Sequence, residues 1–363
     1  MKVGLNVYIK EHIKALTPYL PPLEGRASEG KYTLLDFNER TAPPGPAVLN
    51  ALRNFIDSGA VQAYPEYGDL EAKIANYAEV PAGQVMVTNG SDQGIEIIYR
   101  AGVNFGDGVI IPSPSFAMFY QVAGVEGARL IRPSYHEDLS FPASDVLAAL
   151  NPGVKLVVVV SPNNPTGSVA SEEQVRAILD KAAGLGAAVL LDEAYFEFHR
   201  QSLKHLIVSY PNLFIIRTFS KAFGLPSLRV GYVISREENI KELLKIRGPY
   251  DVNMLARVGV MAALDHLDYV QEYVQEVMGR SKPLLESFFD QHGVSYYPSW
   301  ANFITFRPPD QMAAFEALKL QGILVRPRSG PCIDGTLRVS LGTVRETRLF
   351  MDAYKHYLTH GTE

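Results

Sequence analysis

The chain predicts an α/β fold: a large domain with a mostly parallel sheet between helices, followed by a smaller α+β domain. Three observations carry that expectation. From about residue 85, short β-branched runs alternate with helical stretches, the pattern of a parallel sheet wrapped by helices. Lys155 to Val160 is nearly all valine, as expected of a strand covered on both faces. After Ile234 longer helical patterns mix with short strands, the texture of an α+β unit. The 363 residues suit roughly two domains. We place an N-terminal arm, joining the small domain, at 1–45, the large domain at 46–248 and the small domain at 249–363.

The elements follow in order. Val85 to Thr88 reads as a strand, Asn89-Gly90-Ser91 as a turn, and Asp92 to Val103 as a helix with Ile95, Ile98 and Tyr99 on one face. Gly108 to Ile111 and Ala128 to Arg132 are short strands, with a helix around Met118 between them. Pro142 suits the first turn of a helix ending near Leu150, where its missing N–H would be unpaired anyway. Ser171 and Gln174 form a capping box opening a helix that stops at Gly184. Ala187 to Leu191, Leu213 to Thr218 and Val230 to Ile234 complete the sheet. Helical patterns then run from Glu237 to Ile246 and, past Gly248-Pro249, from Asn253 to about Gln291. Strands at Phe303 to Phe306, Ile323 to Arg326 and Leu337 to Ser340 alternate with helices at Gln311 to Leu320 and Val344 to Leu358. Thr343 and Glu346 cap the last helix. Proline around Thr17 to Pro22 and Pro43 to Pro46 marks the arm.

Composition narrows the function classes. Lysine plus arginine is 34 against 39 aspartate plus glutamate, a net charge of -5, which argues against a nucleic-acid binder. Apolar runs are strand-sized, far below the ~20 residues that span a bilayer. Lys2, Lys10, Glu11 and Lys14 interrupt any signal-peptide core, and no arginine precedes Arg26, so the chain reads as cytoplasmic. The single cysteine, Cys332, excludes an internal disulfide and a cysteine-rich metal site.

Polar groups gather where ligands bind in such sheets, beyond the carboxyl ends of strands. Lys155 to Val160 runs into Ser161-Pro-Asn-Asn-Pro-Thr-Gly167, Ala187 to Leu191 into Asp192-Glu-Ala-Tyr195, and Leu213 to Thr218 into Ser220-Lys221. Each has a plain structural reading: turn chemistry, a helix N-cap and a solvated lysine. Their joint occurrence at strand ends is what points to a site. The acidic strand Ala187 to Glu193 resembles that of a nucleotide hydrolase, but no G-x-x-x-x-G-K-[ST] loop accompanies it. Neither G-x-G-x-x-G nor H-E-x-x-H occurs, and His356 and His360 suit an exposed terminal helix better than a metal, so no metal site is expected.

Together with Thr218-Phe-Ser-Lys-Ala-Phe-Gly-Leu-Pro-Ser-Leu-Arg229 and Leu337-Arg-Val-Ser-Leu-Gly-Thr343, these motifs resemble fold-type I, pyridoxal-phosphate-dependent aminotransferases. Within that group they are most similar to histidinol-phosphate aminotransferases. The match runs from Leu16-Thr-Pro-Tyr19 to the last helix. The resemblance implies pyridoxal 5'-phosphate as cofactor, with Lys221 as its Schiff-base lysine. It implies Asp192 at the pyridinium nitrogen, Tyr195 and Asn164 at the ring oxygen, and Phe116 stacked over the ring. Gly90, Ser91, Asp92, Thr218, Ser220 and Arg229 would hold the cofactor phosphate, joined by Tyr64 from a second subunit of a homodimer. Arg338 would bind the substrate anion, with Arg326 and Tyr19 near the substrate's far end. The implied partners are a small-molecule amino donor and a 2-oxo acid acceptor, with no nucleic acid and no membrane.

The arm departs from the family at Pro18-Tyr-Leu-Pro-Pro-Leu-Glu-Gly-Arg26, where Tyr-x-Pro-Gly is commoner, and after Asn38-Glu39. Both segments bear on the substrate, so an aromatic aminotransferase and a threonine-phosphate decarboxylase stay open beside histidinol phosphate. A cofactor-binding regulator is disfavoured, because no DNA-binding domain is appended. Glu193, with no chemistry assigned, is expected to tolerate substitution by glutamine.

Overall fold

A computed structural model describes residues 8–21, 26 and 32–361. The expected arm lies partly outside the described residues, including residues 22–25 of its proline-rich pattern. From the arm, β1 (Thr33–Leu34) pairs in parallel with Ile323–Leu324, far along the chain.

The main sheet has seven strands: β2 (Val85–Thr88), β3 (Gly108–Ile110), β4 (Arg129–Ile131), β5 (Val154–Val160), β6 (Ala188–Asp192), β7 (Leu213–Thr218) and β8 (Gly231–Ile234). Their spatial order is β2-β8-β7-β6-β5-β3-β4. Strands β3 to β7 run parallel, whereas β8 is antiparallel to both its neighbours. The connection between β7 and β8 holds only the 3-10 turn Pro226–Leu228 and no α-helix to serve as the crossover of a parallel return. That loop carries Ser220, Lys221 and Arg229 to the carboxyl end of β7.

Alternation along buried strands feeds two cores. Val157, Val159, Val189, Leu191 and Ile215 face one side of the sheet; Val158, Val160, Leu190 and Ile216 face the other. Both predicted capping boxes form: Gln174 N–H donates to Ser171 Oγ at 3.2 Å in one, and Thr343 with Glu346 closes the other.

Departures have local causes. The long helical pattern after Asn253 divides into Met254–Asp265, Asp268–Glu276, a π-turn at Val277–Ser281 and Lys282–Gln291. Pro283 lacks the N–H that would continue the α-helical ladder, and the wider turn precedes it. Helices Pro46–Asp57 and Leu70–Ala78 have no counterpart in the sequence reading; Met254–Asp265 packs on both, tying the start of the expected small domain to the larger body.

A four-stranded antiparallel sheet lies in the C-terminal part: β9 (Ser295–Tyr296), β10 (Phe303–Arg307), β12 (Arg326–Arg328) and β13 (Thr336–Ser340), ordered β12-β13-β10-β9. The expected strand Ile323 to Arg326 is two strands: β11 (Ile323–Leu324) pairs with β1, and β12 pairs with β13. Phe289, Phe306, Phe350 and Tyr354 pack behind this sheet, the last two stacked at 5.7 Å. Among the described residues, no helix is long and apolar enough to cross a membrane.

Candidate active site

The carboxyl ends of β5, β6 and β7 and the helix Gly90–Gly102 that follows β2 converge on a cavity of about 280 Å³. Ser91, Asp92, Phe116, Asn164, Asp192, Tyr195, Thr218, Ser220, Lys221 and Arg229 all line it, beside Arg26, Phe37 and Glu39 from the arm segment.

One end of the cavity is an anion cradle. A helix N-terminus presents unpaired N–H groups and a positive dipole end. Gly90 has φ 71°, and a Cβ there would lie 2.7 Å from the Arg229 guanidinium; a Cβ on Gly231 would lie 2.4 Å from the Ser91 backbone nitrogen. Glycine at both positions lets loop and helix close on each other. Arg229, itself left-handed at φ 55°, accepts from Gly90 N–H through its carbonyl and donates to Asp92 at 2.9 Å. Thr218 Oγ1 and Ser220 Oγ are 2.9 Å apart at the cradle's rim.

At the other end Asp192 is buried and accepts from Ala194 N–H at 2.9 Å. Burial pushes its carboxyl up to about 7, Asp92 and Glu193 add to the rise, and the Ala194 N–H and Lys221 oppose it. A cationic ring nitrogen at this point would stabilise the carboxylate. Lys221 Nζ donates to the Phe37 carbonyl at 2.9 Å, and the Tyr195 hydroxyl accepts from Asn38 Nδ2 at 3.0 Å. An amine, a buried carboxylate, an aromatic wall and an anion cradle in one cavity fit pyridoxal phosphate.

A second cavity of about 160 Å³ shares Phe37, Phe116, Asn164 and Lys221 with the first and adds Tyr19, Arg326, Arg328 and Arg338. Arg338 is buried and donates to Asn164 Oδ1 and to the Asp36 carbonyl. Burial lowers its pKa to about 9, and Arg328 and Arg326 press it further down than Asp36 restores. Thus the structure brings together every site residue expected from sequence except Gly90, which stands behind the cradle, and Tyr64. Tyr64 lines neither cavity; it is 78% exposed with its ring against Tyr250 at 4.6 Å.

Sequence reasoning missed several residues. Asn38, buried at φ 56°, is held by Ser340 and Asn302 and in turn holds Tyr195. Arg26 pairs with Asp36 at 3.0 Å and with Glu39, its guanidinium 4.5 Å over Phe37. The Asn38 contacts, 302 and 264 residues apart in sequence, leave no local signal, although Arg328, two positions from Arg326, was visible in the strand period. Glu193 needs a correction. It is buried, accepts from Arg217 at 2.7 Å, from Ser202 at 2.9 Å and from Leu203 N–H at 2.8 Å, so it is not a tolerant position. Arg217 is buried too, and loss of the carboxylate would strand its charge.

Residues 30–353 match the family described as aminotransferase class I and II. The histidinol-phosphate aminotransferase of Symbiobacterium thermophilum is 34% identical over 364 residues, covering 97% of this chain and 99% of that protein. That of Thermoanaerobacter sp. is 32% identical over 354 residues, covering 96% and 98%. Among solved structures, histidinol-phosphate aminotransferase from Sinorhizobium meliloti in complex with pyridoxal-5'-phosphate has a TM-score of 0.87 at 25% identity, covering 97% of this chain and 98% of that one. Aspartate aminotransferase from Thermus thermophilus with maleate shares the fold, with a TM-score of 0.81 at 21% identity over 97% and 99% of the two chains.

Proposed function

The chain belongs to the class I and II aminotransferases, and from that premise we propose that it is a pyridoxal-phosphate-dependent enzyme that moves an amino group from histidinol phosphate to 2-oxoglutarate, or from glutamate in reverse. The observation that carries the reading is one cavity holding Lys221, Asp192 and the Gly90 cradle, opening on a second that holds Arg326 and Arg338.

When bound, the cofactor supplies an electron sink for chemistry at the substrate α-carbon. Asp192 holds the proton on its ring nitrogen, because a buried carboxylate favours an adjacent cation. Tyr195, oriented by Asn38, and Asn164 position the ring oxygen. The first-turn N–H groups at Ser91 and Asp92, with Thr218, Ser220 and Arg229, hold the phosphate. Lys221 would anchor the cofactor and would serve as the base that moves the proton between the substrate α-carbon and the cofactor C4′. Arg338 binds the glutamate α-carboxylate through its fork, and binds the histidinol phosphate dianion with help from Arg326 and Tyr19. The enzyme works as a cytoplasmic homodimer in which Tyr64 reaches the phosphate of the neighbouring subunit, an assignment supported by its exposure away from its own cavity.

A two-substrate amine-transfer panel tests this reading. Histidinol phosphate with 2-oxoglutarate is expected to give the highest kcat/KM. Transfer from phenylalanine or tyrosine with none from histidinol phosphate would replace it with an aromatic aminotransferase, and carbon dioxide release from threonine phosphate would replace it with a lyase.

A further inference from the structure

We infer that Arg328 is a specificity-determining residue, a third guanidinium of the substrate cavity that engages a dianionic phosphate monoester and favours it over a carboxylate group. The inference rests on the reading of that cavity as the substrate site.

The strand β12 reads Arg326-Pro327-Arg328, and side chains two apart on a strand share a face. Antiparallel register sets Arg326 directly opposite Arg338 and Arg328 opposite Thr336. Like charges placed opposite each other across two strands repel. The arrangement therefore concentrates positive charge on one face of a ribbon, and Arg326, Arg328 and Arg338 all line the cavity of about 160 Å³.

Among the described residues, no carboxylate forms an ion pair with Arg326, Arg328 or Arg338. Two described acids of the arm, Asp36 and Glu39, are already paired with Arg26. Among the described residues, the Nε atoms of Arg328 and Arg338 are buried without a hydrogen-bond partner. Buried donors of that kind are costly unless a ligand meets them. Burial and the neighbouring Arg326 depress the Arg328 pKa, and Tyr19 and Tyr195 offset this only in part. The backbone of Arg328, not its side chain, carries the local structural contact, since its carbonyl accepts from Gln311 Nε2 at 2.7 Å.

The chemistry of the ligand follows from acceptor counting. A carboxylate has two oxygens, and one guanidinium fork takes both. A phosphate monoester dianion has three terminal oxygens and twice the charge, so further guanidinium groups gain contacts that a carboxylate cannot give them. Arg328 thus weighs differently on the two halves of the reaction: a phosphate offers it a third terminal oxygen, whereas each carboxylate of glutamate has two oxygens that a single fork takes.

The experiment uses the holoenzyme, its cofactor cradle filled, with Arg328→Gln and Arg328→Lys. Two quantities are read: the ratio of kcat/KM for histidinol phosphate to that for glutamate, and the binding of inorganic phosphate by calorimetry. In Arg328→Gln the ratio is expected to fall by about ten- to a hundredfold, the worth of one charge-assisted hydrogen bond, with phosphate binding weakened in parallel. Arg328→Lys is expected to recover part of both by restoring charge without the fork. Equal losses on both substrates, or phosphate binding that does not change, would overturn the inference. A wild-type enzyme that ignores histidinol phosphate, yet whose phosphate binding falls in Arg328→Gln, would sink the substrate assignment while upholding the anion subsite.

Discussion

Replacing Asp192 with asparagine is expected to stabilise the cofactor-free protein at pH 8 while removing turnover from the loaded enzyme. In the folded protein the Asp192 carboxyl keeps its proton up to about 7, against an ordinary value of 3.8. Between those values the folded state binds more protons than the unfolded chain, so stability falls as pH rises through the window, and the full penalty is present above pH 7. At about 1.4 kcal/mol per pH unit the gap corresponds to roughly 4 kcal/mol at pH 8 and about a third of that at pH 5. Asparagine cannot ionise, and its Oδ1 can still accept from Ala194 N–H. Its amide nevertheless needs partners in a buried site, which costs about 1–3 kcal/mol at either pH. The variant should therefore gain about 3 kcal/mol relative to wild type on moving from pH 5 to pH 8. Urea unfolding of both apoproteins at the two pH values measures this directly. Loaded with pyridoxal phosphate, Asp192→Asn should retain much of the cofactor but lose roughly a hundredfold or more in turnover, because no charge holds the ring-nitrogen proton. An unfolding difference that is the same at both pH values, or near-normal turnover, would refute the reasoning.

Borohydride reduction of the holoenzyme followed by peptide mapping should mark Lys221; a label on another lysine would end its assignment. Mixing inactive Lys221→Ala chains with inactive Tyr64→Phe chains should restore some activity in heterodimers, in the one site where both residues are intact. No recovery after proven subunit exchange would count against shared sites. Glu193→Gln should destabilise the fold by about 3 kcal/mol or more, because Arg217 would keep a buried charge without a counter-charge. Thermal unfolding measures that loss, and its absence would mean that Ser202 and solvent suffice for the guanidinium.

The cofactor end of the site lay almost entirely within short segments of chain. Ser220 and Lys221 follow one strand, Asp192 and Tyr195 another, and Gly90 opens the helix after a third. Alternation of short apolar strands with helices determines that such segments meet at one edge of a parallel sheet, because every crossover returns the chain in the same direction. Sequence by itself therefore determined the α/β class, both capping boxes and most residues that line the candidate cofactor cavity.

Tertiary structure decided the rest. That β8 runs antiparallel goes with a connection that carries no crossover helix. The division of 323–328 between two sheets depends on β1, which arrives from nearly 300 residues away. The environment of Glu193 depends on Arg217 crossing from the neighbouring strand, and the orientation of Tyr195 on Asn38. The clustering of Arg326, Arg328 and Arg338 depends on the register between β12 and β13. Local pattern sets which face a side chain takes on its own strand, but which strand lies opposite is set by long-range packing, and that pairing determines which charges are neutralised and which are left for a ligand.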